Sequence, residues 1–165
     1  MNNYLKISLG IILMLSASRF VPHPPNFTSL IALSFYVPVF LGIKFLPALL
    51  LGFILTDFII GMHNTVFFTW GSVILIGFVS KYFSKSIISR LVGALGGATV
   101  FYIISNFGVW TIGSYGYSIN GLFICYTVAL PFYGYNLIST FVFSSIIESI
   151  YKLKTYYNKN FSNYS

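Results

Sequence analysis

Polar side chains that could bind a small molecule occur in separate parts of an otherwise apolar chain. The densest group is the segment RFVPHPPN at residues 19–26, which supplies a guanidinium, an imidazole and an amide. The candidate substrate-binding residues are Arg19, His23, Asn26, Asp57, His63, Asn64, Asn106, Trp110 and Tyr126. A few donors and acceptors within apolar walls are typical of a ligand pocket, because the polar groups orient the ligand and the walls supply affinity.

Arg19 and Asp57 are expected to interact with each other. An ionisable group in a hydrocarbon environment costs at least about 2 to 3 kcal/mol unless it is paired. A pair with no ligand would satisfy both groups equally well, so binding and purely structural roles stay open.

The composition places this chain in a membrane. Hydrophobic residues make up 57% of it and charged residues 7%, with a mean hydropathy of +0.86, which leaves too little polar surface for a water-soluble domain of 165 residues. The net charge of +7 comes from basic residues scattered singly rather than along one stripe. The lipid bilayer is therefore the expected partner, and nucleic acid is not.

The hydropathy pattern predicts an all-α membrane protein, a bundle of six transmembrane helices with one additional short helix. The six predicted spans are about Tyr4–Ser18, Thr28–Ile43, Phe45–Gly61, Thr65–Ser80, Leu91–Phe107 and Tyr133–Tyr151. A further apolar run, about 119–130, is short and ends at Pro131. It is predicted to be a re-entrant or interfacial helix.

The distribution of basic residues predicts the orientation. With six crossings and a cytoplasmic N-terminus, eight of the nine basic residues lie inside and only Arg19 lies outside. Both termini are then cytoplasmic, with a single domain over residues 1–152 and a short basic and polar cytoplasmic tail over 153–165. The cytoplasmic (inner) membrane is the expected location. A signal peptide ending near Ser16-Ala17-Ser18 is the competing interpretation of the N-terminal segment.

Catalytic, metal and cofactor roles are not predicted. The only two acids, Asp57 and Glu148, fall on opposite sides of the membrane, and no Gly-x-Ser-x-Gly or nucleotide-binding loop is present. A metal site formed by His23, His63 and Cys125 lacks any local ligand spacing. We therefore expect no enzyme, although a Ser or His mechanism stays open.

Two further patterns concern helix packing. Gly93-x-x-x-Gly97 and the overlapping Ala94-x-x-x-Ala98 permit close helix approach, within the bundle or to another chain. Glu148 and Lys152 have the spacing of a helical ion pair, which predicts a structural role.

The segment RFVPHPPNFTSLIALSF, followed by SNFGVW, GLFICY and ALPFYGYN, resembles an uncharacterised bacterial family of small integral membrane proteins. That family in turn resembles the substrate-binding S components of energy-coupling factor transporters. The resemblance implies a six-helix protein that imports a vitamin-like or cofactor-precursor molecule through an outward-facing pocket.

The resemblance also implies a partner, a transmembrane coupling subunit with ATPases. In multi-subunit S components the first helix commonly carries an alanine-based motif for docking on that subunit. Here the first helix has Ser8, Gly10 and Ser16 but no Ala-x-x-x-Ala, so action alone and action with a different partner stay open. The other two classes are a structural or assembly subunit of a membrane complex and, less favoured, a membrane-embedded enzyme.

Overall fold

The computed structural model describes residues 2–161, which form seven α-helices and no strand. The helices are α1 Asn3–Phe20, α2 Leu30–Leu41, α3 Leu46–Ile60, α4 Val66–Val79, α5 Ile87–Thr111, α6 Ile119–Val128 and α7 Leu130–Phe161. Short 3-10 turns at Ile43–Phe45 and Ser80–Phe83 precede α3 and follow α4. The prediction of an all-α protein is confirmed.

Four helical segments are long and apolar enough to cross a membrane. They are Ile43–Ile60, Val66–Phe83, Ile87–Thr111 and Leu130–Asn160. The apolar helices α2 and α6 are shorter, with 12 and 10 residues. These helices support a membrane protein, but fewer helices meet the length and hydropathy of a full span than the six predicted.

The helix ends differ from the sequence prediction at several points. Arg19 lies within the last turn of α1 rather than in the following loop. Helix α5 is longer than predicted at both ends, and α7 continues through residue 161, so most of the predicted tail is helical. Residues 162–165 of that tail lie outside the described residues. The run at about 119–130 does form a short helix, and it is separated from α7 by Ala129 alone. Pro131 lacks an N–H and so ends the continuous hydrogen-bond ladder there.

Contacts between helix ends define two ends of the bundle. The "cavity end" carries Arg19 and Asp57, where the end of α1 meets the end of α3. The "basic end" carries Lys44, Arg90 and Glu148. There the Tyr4 hydroxyl at the start of α1 donates to the Lys44 carbonyl at 3.1 Å, and α5 contacts α7 through Arg90 and Glu148. Successive helices from α1 to α5 therefore run in alternating directions.

Helix α2 lies in the centre of the bundle. Its residues from Leu30 to Val37 are all buried, whereas a surface helix buries one face. It contacts α3, α4, α5 and α7. Because its neighbours cover all of its faces, an apolar sequence without helical periodicity is what this position requires.

The glycines of α5 allow close packing within this chain. A Cβ at Gly93 would lie 2.6 Å from Phe35 and from Phe83, and one at Gly97 would lie 3.1 Å from Ile76. The predicted close approach is therefore confirmed, and the neighbours belong to the same bundle. A Cβ at Gly96, in contrast, would meet nothing within 4 Å.

The prediction that Glu148 pairs with Lys152 is wrong. Both carboxylate oxygens of Glu148 accept hydrogen bonds from Arg90, from Nε at 2.6 Å and from Nη2 at 2.7 Å. Lys152 is exposed, whereas Glu148 and Arg90 are 7% and 8% exposed. A planar guanidinium that binds both oxygens in a buried site is favoured over a flexible lysine on the surface.

We expect Gly93→Ala to destabilise the protein and Gly96→Ala not to. Alanine is favoured over glycine in a helix by about 1 kcal/mol, but overpacking costs about 1–3 kcal/mol, so the clash should dominate at Gly93 alone. Thermal unfolding in detergent measures both variants against the wild type. Equal unfolding temperatures for the two variants would contradict this packing.

Candidate functional site

A cavity of about 470 Å³ lies at the cavity end of the bundle. Six of the nine predicted binding residues line it, and they come from α1, α3, α5 and two connecting loops. These six are Arg19, His23, Asn26, Asp57, His63 and Asn106. Apolar side chains such as Phe53, Ile31 and Phe132 complete the wall. The structure thus brings together groups that are far apart in the sequence.

The other three predicted residues do not line this cavity. Asn64 is exposed on the loop between α3 and α4. The indole Nε1 of Trp110 donates to the carbonyl of Ser118 at 3.3 Å, which ties α5 to the start of α6. The hydroxyl of Tyr126 donates to the carbonyl of Ile103 at 2.6 Å and holds α6 against α5.

The predicted contact between Arg19 and Asp57 is present. Nη2 of Arg19 lies 2.7 Å from Oδ1 of Asp57, and the two side chains are 14% and 2% exposed. Nε1 of Trp70 on α4 donates to the other carboxylate oxygen at 2.8 Å. The guanidinium also lies over the ring of Phe53, with Cζ 4.6 Å from the centroid. The carboxylate is therefore bound on both oxygens by protein groups.

The guanidinium of Arg19, in contrast, has unused capacity. Its Nη1 is buried and has no hydrogen-bond partner among residues 2–161. In Arg90 the Nε, Nη1 and Nη2 atoms all donate, to Glu148 and to the carbonyl of Ser84. A buried donor left without an acceptor costs about 1–3 kcal/mol. Arg19 is a residue of the cavity wall, so an acceptor in the cavity that reached Nη1 would remove that cost.

The histidines present different groups to the cavity. Nδ1 of His23 lies 2.7 Å from the carbonyl oxygen of Pro24, and a carbonyl only accepts, so this nitrogen carries the proton. In the neutral ring Nε2 is then an acceptor. Nδ1 of His63 lies 2.8 Å from the hydroxyl of Thr65.

The loop residue Asn26 adopts a positive φ of 63°, which asparagine tolerates better than most residues.

Asn136 of α7 is a cavity residue that the sequence analysis missed. It is 6% exposed and lines the cavity, yet its side-chain amide makes no hydrogen bond within the described part of the chain. The sequence did contain a sign of this role, because a carboxamide inside an apolar helix is itself unusual. Asn106 differs, since its Nδ2 donates to the carbonyl of Tyr102 at 2.8 Å and leaves Oδ1 as an acceptor.

The cavity therefore offers both donors and acceptors in an apolar enclosure. Arg19 provides a donor, His23 and Asn106 provide acceptors, and Asn136 provides both. The described residues contain no cluster of three His, Cys, Asp or Glu side chains that could hold a metal ion. Cys125 is buried and donates to the carbonyl of Asn106 at 3.3 Å. Recognition of a polar organic molecule is the chemistry that this arrangement can perform.

The fold and the cavity define an all-helical protein with several helices that could span a membrane and a polar pocket at one end of the bundle. The chain matches a family of unknown function, DUF6580, over residues 1–161, and it belongs to that family. No curated protein and no solved structure matches the chain.

We expect Arg19→Met or Asp57→Asn alone to destabilise the protein more than the double variant does. Removing one partner of a buried ion pair costs about 3–5 kcal/mol because it leaves an uncompensated charge. A double-mutant cycle of thermal unfolding in detergent measures the coupling. Additive losses would contradict an interaction between the two side chains.

Proposed function

We propose that this chain is a substrate-binding membrane protein that takes a small organic molecule from outside the cell and takes part in its import. The observation that carries the proposal is the buried, unpartnered Nη1 of Arg19 in a cavity wall. The other arginine of the chain is saturated by its own protein. An arginine with an unused N–H donor is therefore found at the cavity and not at the other ion pair of the bundle.

The size and chemistry of the cavity limit the substrate class. A volume of about 470 Å³ falls within the range of about 300–1,000 Å³ that is typical of small-molecule sites. The substrate carries an acceptor, such as a carboxylate or carbonyl oxygen, for Arg19. It also carries N–H or O–H donors for His23 and Asn106. A vitamin-like molecule or cofactor precursor fits this description.

The proposed orientation has six crossings, by α1 to α5 and α7, with α6 packed at the outer end. Lysines 44, 81 and 85 and the lysines of α7 lie toward the basic end, which the positive-inside rule assigns to the cytoplasm. Helix α1 has 18 residues and spans about 27 Å, close to the thickness of the hydrocarbon core. The cavity then opens to the outside of the cytoplasmic membrane. A coupling subunit with ATPases would act on the protein from the cytoplasmic side.

The alternative of an assembly subunit receives less support. That function would use the glycine-rich face of α5 for contact with another chain. Gly93 and Gly97 already pack against Phe35, Phe83 and Ile76 of the same chain. Of the three glycines Gly93, Gly96 and Gly97, only Gly96 has open space where a Cβ would stand.

The orientation predicts which cysteines react in intact cells. On a Cys125→Ser background, Asn64→Cys at the cavity end should react with an impermeant maleimide, because Asn64 is exposed there. Asn158→Cys near the end of α7 should react only after the cells are permeabilised. Reaction of Asn158→Cys in intact cells would overturn the proposed orientation.

The substrate proposal predicts a co-purified compound. Mass spectrometry of extracts from protein purified in mild detergent should detect one small molecule in near-stoichiometric amount with the wild type. Asn136→Ala should reduce its amount by roughly tenfold or more, because the lost contacts leave polar groups of the ligand unpaired.

Asn64→Ala is the matched control for that measurement. It removes the same side chain from an exposed position outside the cavity wall, so occupancy should equal that of the wild type. Equal occupancy of Asn136→Ala and Asn64→Ala, or no compound with the wild type, would contradict binding in this cavity.

A further inference from the structure

Helix α7 carries a buried polar stripe that leads away from the cavity. The stripe consists of Asn136, Thr140, Ser144 and Glu148, which are spaced by four residues and so lie on one face of the helix. Their exposed fractions are 6%, 0%, 1% and 7%. Over twelve residues the stripe covers about 18 Å at about 1.5 Å per residue, more than half of a hydrocarbon core.

The two hydroxyls in the middle of the stripe make no well-formed hydrogen bond. Oγ1 of Thr140 and Oγ of Ser144 are buried without a hydrogen bond to any described residue. Ser145 and Ser149 on the same helix each donate to the carbonyl four residues earlier, at 2.8 Å. That local bond is equally available to Thr140 and Ser144. Neither hydroxyl makes that bond in the structure.

Tyr36 of α2 adds a third buried hydroxyl beside the stripe. It is 2% exposed and its hydroxyl interacts with the side chains of Glu148 and Ser144, but without the geometry of a well-formed hydrogen bond. Buried hydroxyls without partners are costly and usually indicate water or a ligand group that is present at some stage. Between the cavity and the basic end, the hydroxyl of Thr140 has no partner among the described residues, and those of Ser144 and Tyr36 have only each other and Glu148 nearby.

The stripe has an open end and a closed end. Asn136 lines the cavity. Glu148, at the other end, is held by two hydrogen bonds from Arg90, whose Cζ lies 5.1 Å from the ring centroid of Phe40. Tyr151 stacks on Phe40 with centroids 4.2 Å apart. The ion pair and the two rings join α2, α5 and α7 at the basic end.

We propose that the α7 polar stripe is the closed inner half of the route by which the solute of the cavity crosses the bundle, and that the Arg90–Glu148 pair is its inner gate. This inference rests on the proposed function, since it assigns a path to the solute captured in the cavity. The hydroxyls of Thr140, Ser144 and Tyr36 bind the polar groups of the solute, or its accompanying water, when the gate opens. The chain then contains a translocation route of its own in addition to a capture site.

The test compares two buried serines by their accessibility from the basic end. On a Cys125→Ser background, Ser144→Cys probes the stripe, and Ser72→Cys on α4 is the matched control. Ser72 is also fully buried, but its hydroxyl donates to the carbonyl of Phe68 and lies outside the stripe. An impermeant methanethiosulfonate is applied to inverted membrane vesicles, with and without Glu148→Gln.

We expect Ser144→Cys to react at least about tenfold faster than Ser72→Cys with the ion pair intact, because the gate opens transiently. Glu148→Gln should increase the rate at Ser144→Cys selectively. Equal rates at the two positions in both backgrounds would overturn the proposal. If both rates are slow, trapped water accounts for the stripe, and if both are fast, the whole bundle is loosened.

The accessibility measurement needs no solute, so its result tests the route independently of the proposed binding of a solute in the cavity. Equal rates together with a co-purified compound would leave the cavity as a binding site and remove the route. Selective reaction at Ser144→Cys without any co-purified compound would support the route and count against the proposed capture of that solute.

Discussion

Two buried ion pairs hold this bundle together, and they use every acid in the chain. Asp57 and Glu148 are its only acids, and each binds one of its two arginines, Arg19 or Arg90. One pair joins α1 to α3 at the cavity end and the other joins α5 to α7 at the basic end. An acid within an apolar bundle is tolerable only with such a partner. The lysines have no acid left to bind, and the net charge of +7 is therefore carried on the surface.

The two pairs differ in how completely they satisfy the arginine. Arg90 forms a bidentate contact and also donates to a backbone carbonyl, which is the arrangement of a structural clamp. Arg19 binds Oδ1 of Asp57, and Trp70 donates to Oδ2. Nη1 of Arg19 makes no hydrogen bond to a described residue. A small difference in local packing separates a closed ion pair from one with a donor left for a ligand.

The sequence predicted the parts of this structure that depend on its apolar composition and on its small number of charged residues. Apolar runs located the helices, and the pairing of Arg19 with Asp57 followed from the absence of other charges nearby. The Arg90–Glu148 pair could not be found in this way, because eight basic residues share the predicted side of Glu148 and Lys152 offered a local alternative. Trp110 and Tyr126 were predicted to bind a ligand, but the structure shows that their polar atoms bind nearby backbone carbonyls, whose positions depend on where α6 packs. Asn136 was overlooked within an apolar helix, since only the tertiary fold shows which of its faces is buried.

Helix α7 connects the two ends that the ion pairs define. One face of this helix carries Asn136 at the cavity and Glu148 at the clamp, with Thr140 and Ser144 between them. A helix that served only as packing would carry apolar residues on that face, because small hydrophobic side chains fill the same space without unpaired hydroxyls. Back-bonding would also have been available to both hydroxyls, as it is at Ser145 and Ser149. Polar groups at these buried positions are therefore costly in this arrangement of the bundle, and water or a ligand group that hydrogen-bonds to them would offset that cost.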